Sequence, residues 1–341
     1  MSKGTLNLLD VTLREGAYLN HFSVKDEDAK NLVDYLTSVP LQWLEVASAV
    51  PENNPFRDYH LNTLRISFSV KNKSKIGCLW TPECETETIH PDFLDYCDFV
   101  RIGTNITEIS KLQKGIEQLK NKNLKVFVQL IRSSTAPAKK IAEQAQLAEK
   151  MGADAVYIVD TFGSYTSESL KEIIRSCKEK TTIPLGYHSH NNSGLSLITS
   201  WTAYQEGCEW IDGSLLGAGR IPGNLQLESF ILFLEKQGIP QNMDLGLLYQ
   251  ICESMVSKSF SPTLGIPAPY LWAGYFNIDL QPLPSFQALA ARLGLSLYEL
   301  FLEMNQSGHS MVNSECLKYL SEKHSVPEST LQDAFSLSNF S

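Results

Sequence analysis

The sequence predicts an α/β fold: a (β/α)8 TIM barrel followed by a small helical C-terminal domain. Eight short apolar or β-branched runs alternate with longer stretches of helical period, the pattern of parallel βα units. No Gly-x-Gly-x-x-Gly turn follows any of these runs, which argues against a doubly wound open sheet. Beyond Gly238 the rhythm changes: Pro240, Pro262, Pro267, Pro269, Pro282 and Pro284 interrupt the chain, and the remaining periodic stretches are helical only.

Taken in order, the strands are expected at Leu6 to Leu13, Trp43 to Ala47, Ile76 to Trp80 and Phe99 to Gly103, then at Val126 to Ile131, Ala155 to Asp160, Leu185 to His190 and Trp210 to Leu216. Helices are expected at Asp26 to Thr37, Pro91 to Tyr96, Glu108 to Lys120 and Ala136 to Met151. Three more follow at Ser167 to Lys178, Ser196 to Glu206 and Leu225 to Gln237. Gly152 and Gly238 sit just past helix ends, and Ser167 opens one, as capping chemistry prefers. Between Ser48 and Ser74 the pattern is irregular and no helix is placed. A barrel of roughly 250 residues plus an appendage uses up the 341-residue chain, giving a barrel over 1–239 and a helical domain over 240–341.

Composition narrows the function classes. With 43% hydrophobic and 20% charged residues the chain can bury a substantial core. A net charge of -9 without a basic stripe argues against nucleic-acid binding. No run of about 18 apolar residues offers a membrane span, and the N-terminus lacks a signal-peptide layout, so a cytoplasmic enzyme is expected. The seven cysteines are scattered and form no Cys-x-x-Cys pair, so neither a zinc site nor a disulfide framework is expected of them.

In such a barrel the chemistry sits at the C-terminal ends of the strands. Three blocks fall there. The seventh strand ends in Tyr187-His188-Ser189-His190, where alternation sends His188 and His190 to one side, roughly 6–7 Å apart along the strand, able to share a metal ion. The first strand ends in Asp10-Val11-Thr12-Leu13-Arg14-Glu15-Gly16; Glu15 can reach the same ion, and Arg14 offers an always-protonated donor for an oxyanion. The eighth is followed by Gly217-Ala218-Gly219-Arg220-Ile221-Pro222-Gly223-Asn224, in which Asn224 is either a helix cap or a fourth ligand. Each block alone has a plainer explanation: surface histidines, a surface ion pair, a capped helix.

Together, in this order, the three blocks resemble the metal-dependent lyase and synthase barrels that include 4-hydroxy-2-oxovalerate aldolase, 3-hydroxy-3-methylglutaryl-CoA lyase, isopropylmalate synthase and homocitrate synthase. The layout is nearest to the aldolases, and the likeness runs over roughly residues 5–238. It implies a catalytic and substrate-binding Arg14 and a divalent ion (Mn2+, Zn2+, Co2+ or Mg2+) held by Glu15, His188, His190 and Asn224. Most members carry Asp where this chain has Glu15. Where the aldolases place a histidine base and the acyl-CoA enzymes a glutamine, this chain has Tyr18; Tyr18 and His21 are therefore the candidates for proton transfer, the alternatives being a pocket wall and an exposed loop. Asp160, Glu45 and Gln129 are expected to touch substrate, with Arg101 beside them, and Tyr270 or Tyr275 of the appendage is expected to approach the site.

The implied reaction is aldol cleavage or formation of a 4-hydroxy-2-oxo acid, giving a pyruvate-type enolate and an aldehyde. The ion and Arg14 would stabilise the enolate's charge. The alternative is a Claisen-type synthase joining an acyl-CoA to a 2-oxo acid, and a third is a barrel that has lost catalysis. A homodimer, with an aldehyde-processing enzyme as a further partner, is implied by the resemblance alone.

Overall fold

The computed structural model describes residues 6–39, 41–84, 87–220, 223–260, 268–276, 278, 280 and 282–337. Eight parallel strands close on themselves in sequence order: β1 (Asn7–Asp10), β2 (Trp43–Ala49), β3 (Lys75–Trp80), β4 (Phe99–Asn105), β5 (Lys125–Ile131), β6 (Ala155–Asp160), β7 (Leu185–Ser189) and β8 (Trp210–Gly213). Closure is made by β8 against β1, with Leu8 opposite Ile211 and Leu9 opposite Asp212. All eight expected strands are present. Three are shorter than expected: β1 stops at Asp10, β8 at Gly213 and β7, by one residue, at Ser189.

The reason lies in side chains that bond locally. Asp10 accepts the backbone N–H of Thr12 (3.0 Å) and its hydroxyl (2.6 Å), turning the chain into a short helix, Thr12–Gly16. The Thr12 hydroxyl in turn accepts the Leu215 N–H at 2.8 Å, tying this turn to the loop after β8. Arg14 and Glu15 thus sit on a helical turn above the barrel rather than on a strand tip.

Expected helices are found at Asp26–Ser38, Pro91–Leu94, Ala138–Lys150, Ser167–Lys180, Ser196–Gln205 and Leu227–Lys236, and the stretch from Ile106 to Asn121 begins as a 3-10 helix before becoming α at Gln113. The irregular segment contains a helix, Arg57–Val70. Two caps differ from expectation. Thr166, not Ser167, caps its helix through a box with Ser169. Asn224 caps nothing, because the last barrel helix starts after Gln226.

The barrel interior is layered by the two-residue period of its strands. Trp43, Phe99, Phe127 and Trp210 pack edge to face or tilted, with centroids 4.8–5.7 Å apart, as an aromatic plug. Two residues further along the same strands come Glu45, Arg101, Gln129 and Asp212, a buried polar layer. Gly77 and Gly186 make room for the plug: a Cβ there would stand 2.5 Å from the rings of Phe99 and Tyr157.

Past residue 240 the described chain is helical: Leu245–Ile251, a π-turn at Cys252–Val256, then Ala268–Phe276, Leu283–Leu293, Leu297–Gln306, Ser314–His324 and Glu328–Leu337. One hydrophobic cluster runs from the barrel helices into these, through residues such as Leu248, Trp272 and Phe286. The appendage also braces the site, since the Phe260 ring fills the space beside Gly16, where a Cβ would be 2.7 Å away, and Asn20 donates to the Ser259 carbonyl at 3.0 Å. No helix among the described residues is long and apolar enough to cross a membrane.

Candidate active site

A cavity of about 450 Å3 opens at the C-terminal end of the barrel. Arg14, Glu15, Tyr18, Arg101, Gln129, His188, His190 and Arg220 line it, so residues expected from separate blocks of sequence share one space. At its floor the polar layer is a chain of ion pairs. The Arg14 Nε donates to Glu45 Oε1 at 2.6 Å, and its Nη1 pairs with Glu15 Oε1. Glu45 Oε2 lies 3.4 Å from Arg101 Nη1, while Arg101 Nη2 donates to Gln129 Oε1 at 2.7 Å and pairs with Asp212. Asp212 Oδ2 stands 3.1 Å from His188 Nδ1. The Arg101 guanidinium also lies over the Tyr157 ring, 4.6 Å from its centroid. A register shift between Glu45 and Ala47 in the pairing of β2 with β3 lies beside this network, where bulges commonly aim side chains.

The electrostatics follow from burial and these neighbours. Burial works to raise the Glu15 carboxyl, but Arg14 first, then His188, His190 and Arg220, bring it down to about 2. It is therefore an anion at any physiological pH. Burial first, then the charges of His190, Arg101 and Arg14, lowers His188, and burial first, then Arg14 and Arg220, lowers His190 below the ordinary histidine value, so both imidazoles are neutral at pH 7 and keep a lone pair. Asp212 bonded to Nδ1 makes Nε2 of His188 the nitrogen with the free lone pair.

These residues meet the chemistry of a divalent cation. Glu15 Oε2 and Asn224 Oδ1 are buried acceptors with no donor among the described residues. Both side chains flank Gly219, where a Cβ would be 3.2 Å from Glu15 Oε2 and would meet the Asn224 amide through its Nδ2. Asn224 donates to the Ala218 carbonyl at 3.0 Å, which fixes the amide and leaves its oxygen free. The His188 and His190 rings are 5.1 Å apart. Among the described residues, however, no three His, Cys, Asp or Glu side chains are drawn into one compact coordination group. Glu15, His188 and His190 share the cavity, with one Glu15 oxygen engaged by Arg14.

Other expected site residues lie elsewhere. His21 is exposed, with φ 51°, and does not line the cavity. Asp160 faces away from it: its carboxylate accepts the N–H groups of Ser164 (3.0 Å) and Tyr165 (3.1 Å) and the Tyr187 hydroxyl (3.4 Å), so it holds the loop after β6, while the next residue, Thr161, lines the cavity. Tyr275 packs on Phe276 beneath Lys236 and does not line the cavity; the side chain of Tyr270 lies outside the described residues.

Two residues escaped the sequence. Asp212 follows Trp210 by two, as Glu45 follows Trp43, and that parallel was the available signal. His60 lies in the irregular segment and had none. Its Nδ1 accepts the Ser48 N–H at 3.2 Å, so the neutral ring carries its proton on Nε2, and burial with the nearby Arg14 charge lowers its pKa to about 4. It is a fixed neutral donor on the cavity wall.

Comparison with known proteins agrees with this architecture. The HMGL-like family model matches residues 100–255. The oxaloacetate decarboxylase of Mycobacterium tuberculosis is 26% identical over 85% of this chain and 88% of its own length. The 4-hydroxy-2-oxovalerate aldolase of Brevibacillus brevis is 27% identical over 88% of this chain and 90% of its own. In fold, the chain is similar to the N-terminal domain of a putative aldolase from Bacteroides vulgatus (TM-score 0.67, 24% identity, covering 80% of this chain and 93% of that one). The hydroxymethylglutaryl-CoA lyase of Pseudomonas aeruginosa superposes equally well (TM-score 0.68, 18% identity, 80% and 99%). The HMGL-like model thus matches the second half of the barrel, and relatives named aldolase and decarboxylase align along most of the chain, which supports a carbon–carbon lyase.

Proposed function

We propose that the protein is a divalent-metal-dependent aldolase acting on a 4-hydroxy-2-oxo acid. What supports this most is the pairing, in one cavity, of an arginine fixed by two carboxylates with two neutral imidazoles and a buried Glu15 oxygen that no donor among the described residues reaches. The relatives named 4-hydroxy-2-oxovalerate aldolase agree with it. Glu15, His188, His190 and Asn224 would hold the ion, which when bound supplies Lewis-acid polarisation of the 2-oxo group.

The chain's own residues do the rest. Arg14, oriented by Glu45 and Glu15, presents its remaining N–H groups to the 2-oxo oxygen and stabilises the negative charge that gathers there as C3–C4 breaks. Arg101 and Gln129, locked to each other, form the wall toward the substrate carboxylate. His60 donates Nε2–H to the C4 oxygen without being able to take a proton, because its other nitrogen is occupied. The Tyr18 phenol, held under the Arg220 guanidinium at 4.3 Å, moves the proton of the C4 hydroxyl.

The test is a screen of the metal-supplemented enzyme, with Arg14→Ala and His188→Ala alongside. It measures pyruvate from 4-hydroxy-2-oxo acids, carbon dioxide from oxaloacetate and free thiol from acetyl-CoA with 2-oxo acids. Pyruvate release lost in both variants is expected. Thiol release instead would replace the aldolase with a synthase.

A further inference from the structure

The polar residues occupy only one part of the cavity. The other part is walled by Tyr18, Phe22, Val50, Phe56 and His60. Phe22 and Phe56 stack with centroids 4.3 Å apart and 26° between planes, and Tyr18 and His60 meet the Phe22 ring edge-on at 5.3 and 5.2 Å. Phe56 stays 39% exposed, so its ring remains open to a ligand in the cavity.

The backbone under this wall is strained. His21 and Phe22 are consecutive non-glycine residues at φ 51° and 58°. The left-handed region disfavours bulky side chains, and such strain persists only where the surroundings enforce it, commonly at ligand clamps. Here the Phe22 N–H bonds to the Ala17 carbonyl at 2.9 Å, and the turn delivers the Phe22 ring into the cavity wall. A cavity of about 450 Å3 also falls in the range of roughly 300–1,000 Å3 that encloses drug-sized ligands. That is more room than a five-carbon acid occupies.

We infer that the Tyr18–Phe22–Phe56–His60 wall is an aryl-binding subsite, so that the aldehyde half of the substrate carries an aromatic ring, as in a 4-aryl-4-hydroxy-2-oxobutanoate. This rests on the aldolase reading. The reaction balances without an oxidant: the C4 hydroxyl loses its proton and becomes the carbonyl of an aryl aldehyde. The C3–C4 electron pair passes to C3 as the pyruvate enolate, and a proton then returns to C3. The ring packs against the aromatic wall that the stacked Phe22 and Phe56 form, while His60 donates to the C4 oxygen at the junction of the polar and aromatic parts.

The test pairs a binding with a turnover measurement on the metal-supplemented full chain. Calorimetry compares 2-oxo-4-phenylbutanoate with 2-oxobutanoate, and pyruvate release compares 4-hydroxy-2-oxo-4-phenylbutanoate with 4-hydroxy-2-oxopentanoate. The phenyl acids are expected to bind at least ten-fold tighter and to be cleaved with at least ten-fold higher kcat/KM. Both ratios should fall below about three-fold in Phe22→Ala and in Phe56→Ala, the latter at an exposed side chain that folding tolerates. Equal values for phenyl and methyl acids would overturn the aryl subsite and leave the aldolase standing. Selective binding of the phenyl acid with no pyruvate from either substrate would overturn the aldolase and leave the subsite. Failure of both acids to bind would overturn both.

Discussion

Glu45 is the residue on which the polar layer turns. It is wholly buried, and its two oxygens face two guanidiniums, Arg14 at 2.6 Å and Arg101 at 3.4 Å. Glu45→Ala would leave both cations partly uncompensated in the barrel interior. Removing one partner from a buried pair costs about 3–5 kcal/mol. Arg14 keeps Glu15, and Arg101 keeps Asp212 and Gln129, so the lower end, about 3 kcal/mol, is expected. Glu45→Gln retains a neutral acceptor for Arg14 Nε and should lose about half as much, since hydrogen bonds to charged groups are worth about 1.5–3 kcal/mol. Urea unfolding followed by circular dichroism measures both. Arg14 would also lose its anchor, so kcat should fall about ten- to hundred-fold, with Gln restoring part of it. A double-mutant cycle with Arg101→Met should give a coupling of about 1–3 kcal/mol. If Glu45→Gln unfolds within about 0.5 kcal/mol of the wild type and keeps its kcat, the ion-pair chain neither supports the fold nor positions Arg14.

Three further expectations follow from particular groups. Burial raises the Glu228 carboxyl to about 7 and the Asp10 carboxyl to about 7, so the folded protein holds protons there that the unfolded chain releases near pH 4 to 5. Stability from these groups is therefore complete at low pH and declines as pH rises toward 7. Glu228 Oε2 accepts the Leu216 N–H at 3.0 Å, so Glu228→Gln keeps the bond and should flatten the decline, visible in melting temperatures between pH 5 and 8. An unchanged pH dependence would contradict the assignment. His60→Phe keeps the ring's packing but removes the donor and the acceptor for Ser48; kcat/KM should fall about ten- to hundred-fold, with no activity limb between pH 5 and 9 traceable to His60 in the wild type, because its pKa is about 4. Chelation should abolish lyase activity and added Mn2+ restore it in the wild type but not in His188→Ala; full activity after exhaustive chelation would remove the metal from the proposal.

The chain's order of strands and helices, and therefore the barrel, was legible in the sequence because a two-residue period and a 3.6-residue period are local properties that need no partner to be seen. The same alternation placed Glu45, Arg101 and Gln129 in the barrel interior, and the His188–His190 spacing placed both rings on one side of β7. Contacts between segments far apart in sequence were decided only in the folded chain. Asp160, at a strand end like the others, bonds to the N–H groups of Ser164 and Tyr165 and so turns from the cavity. His21, three residues from Tyr18, is carried outward by a left-handed turn whose other residue, Phe22, goes inward. Arg14 and Glu15 owe their position to Asp10 ending β1 early and to Glu45, 31 residues away, taking the Arg14 Nε. Burial made these pairings strong enough to fix direction, and burial is a property of the closed barrel, which no stretch of sequence possesses alone.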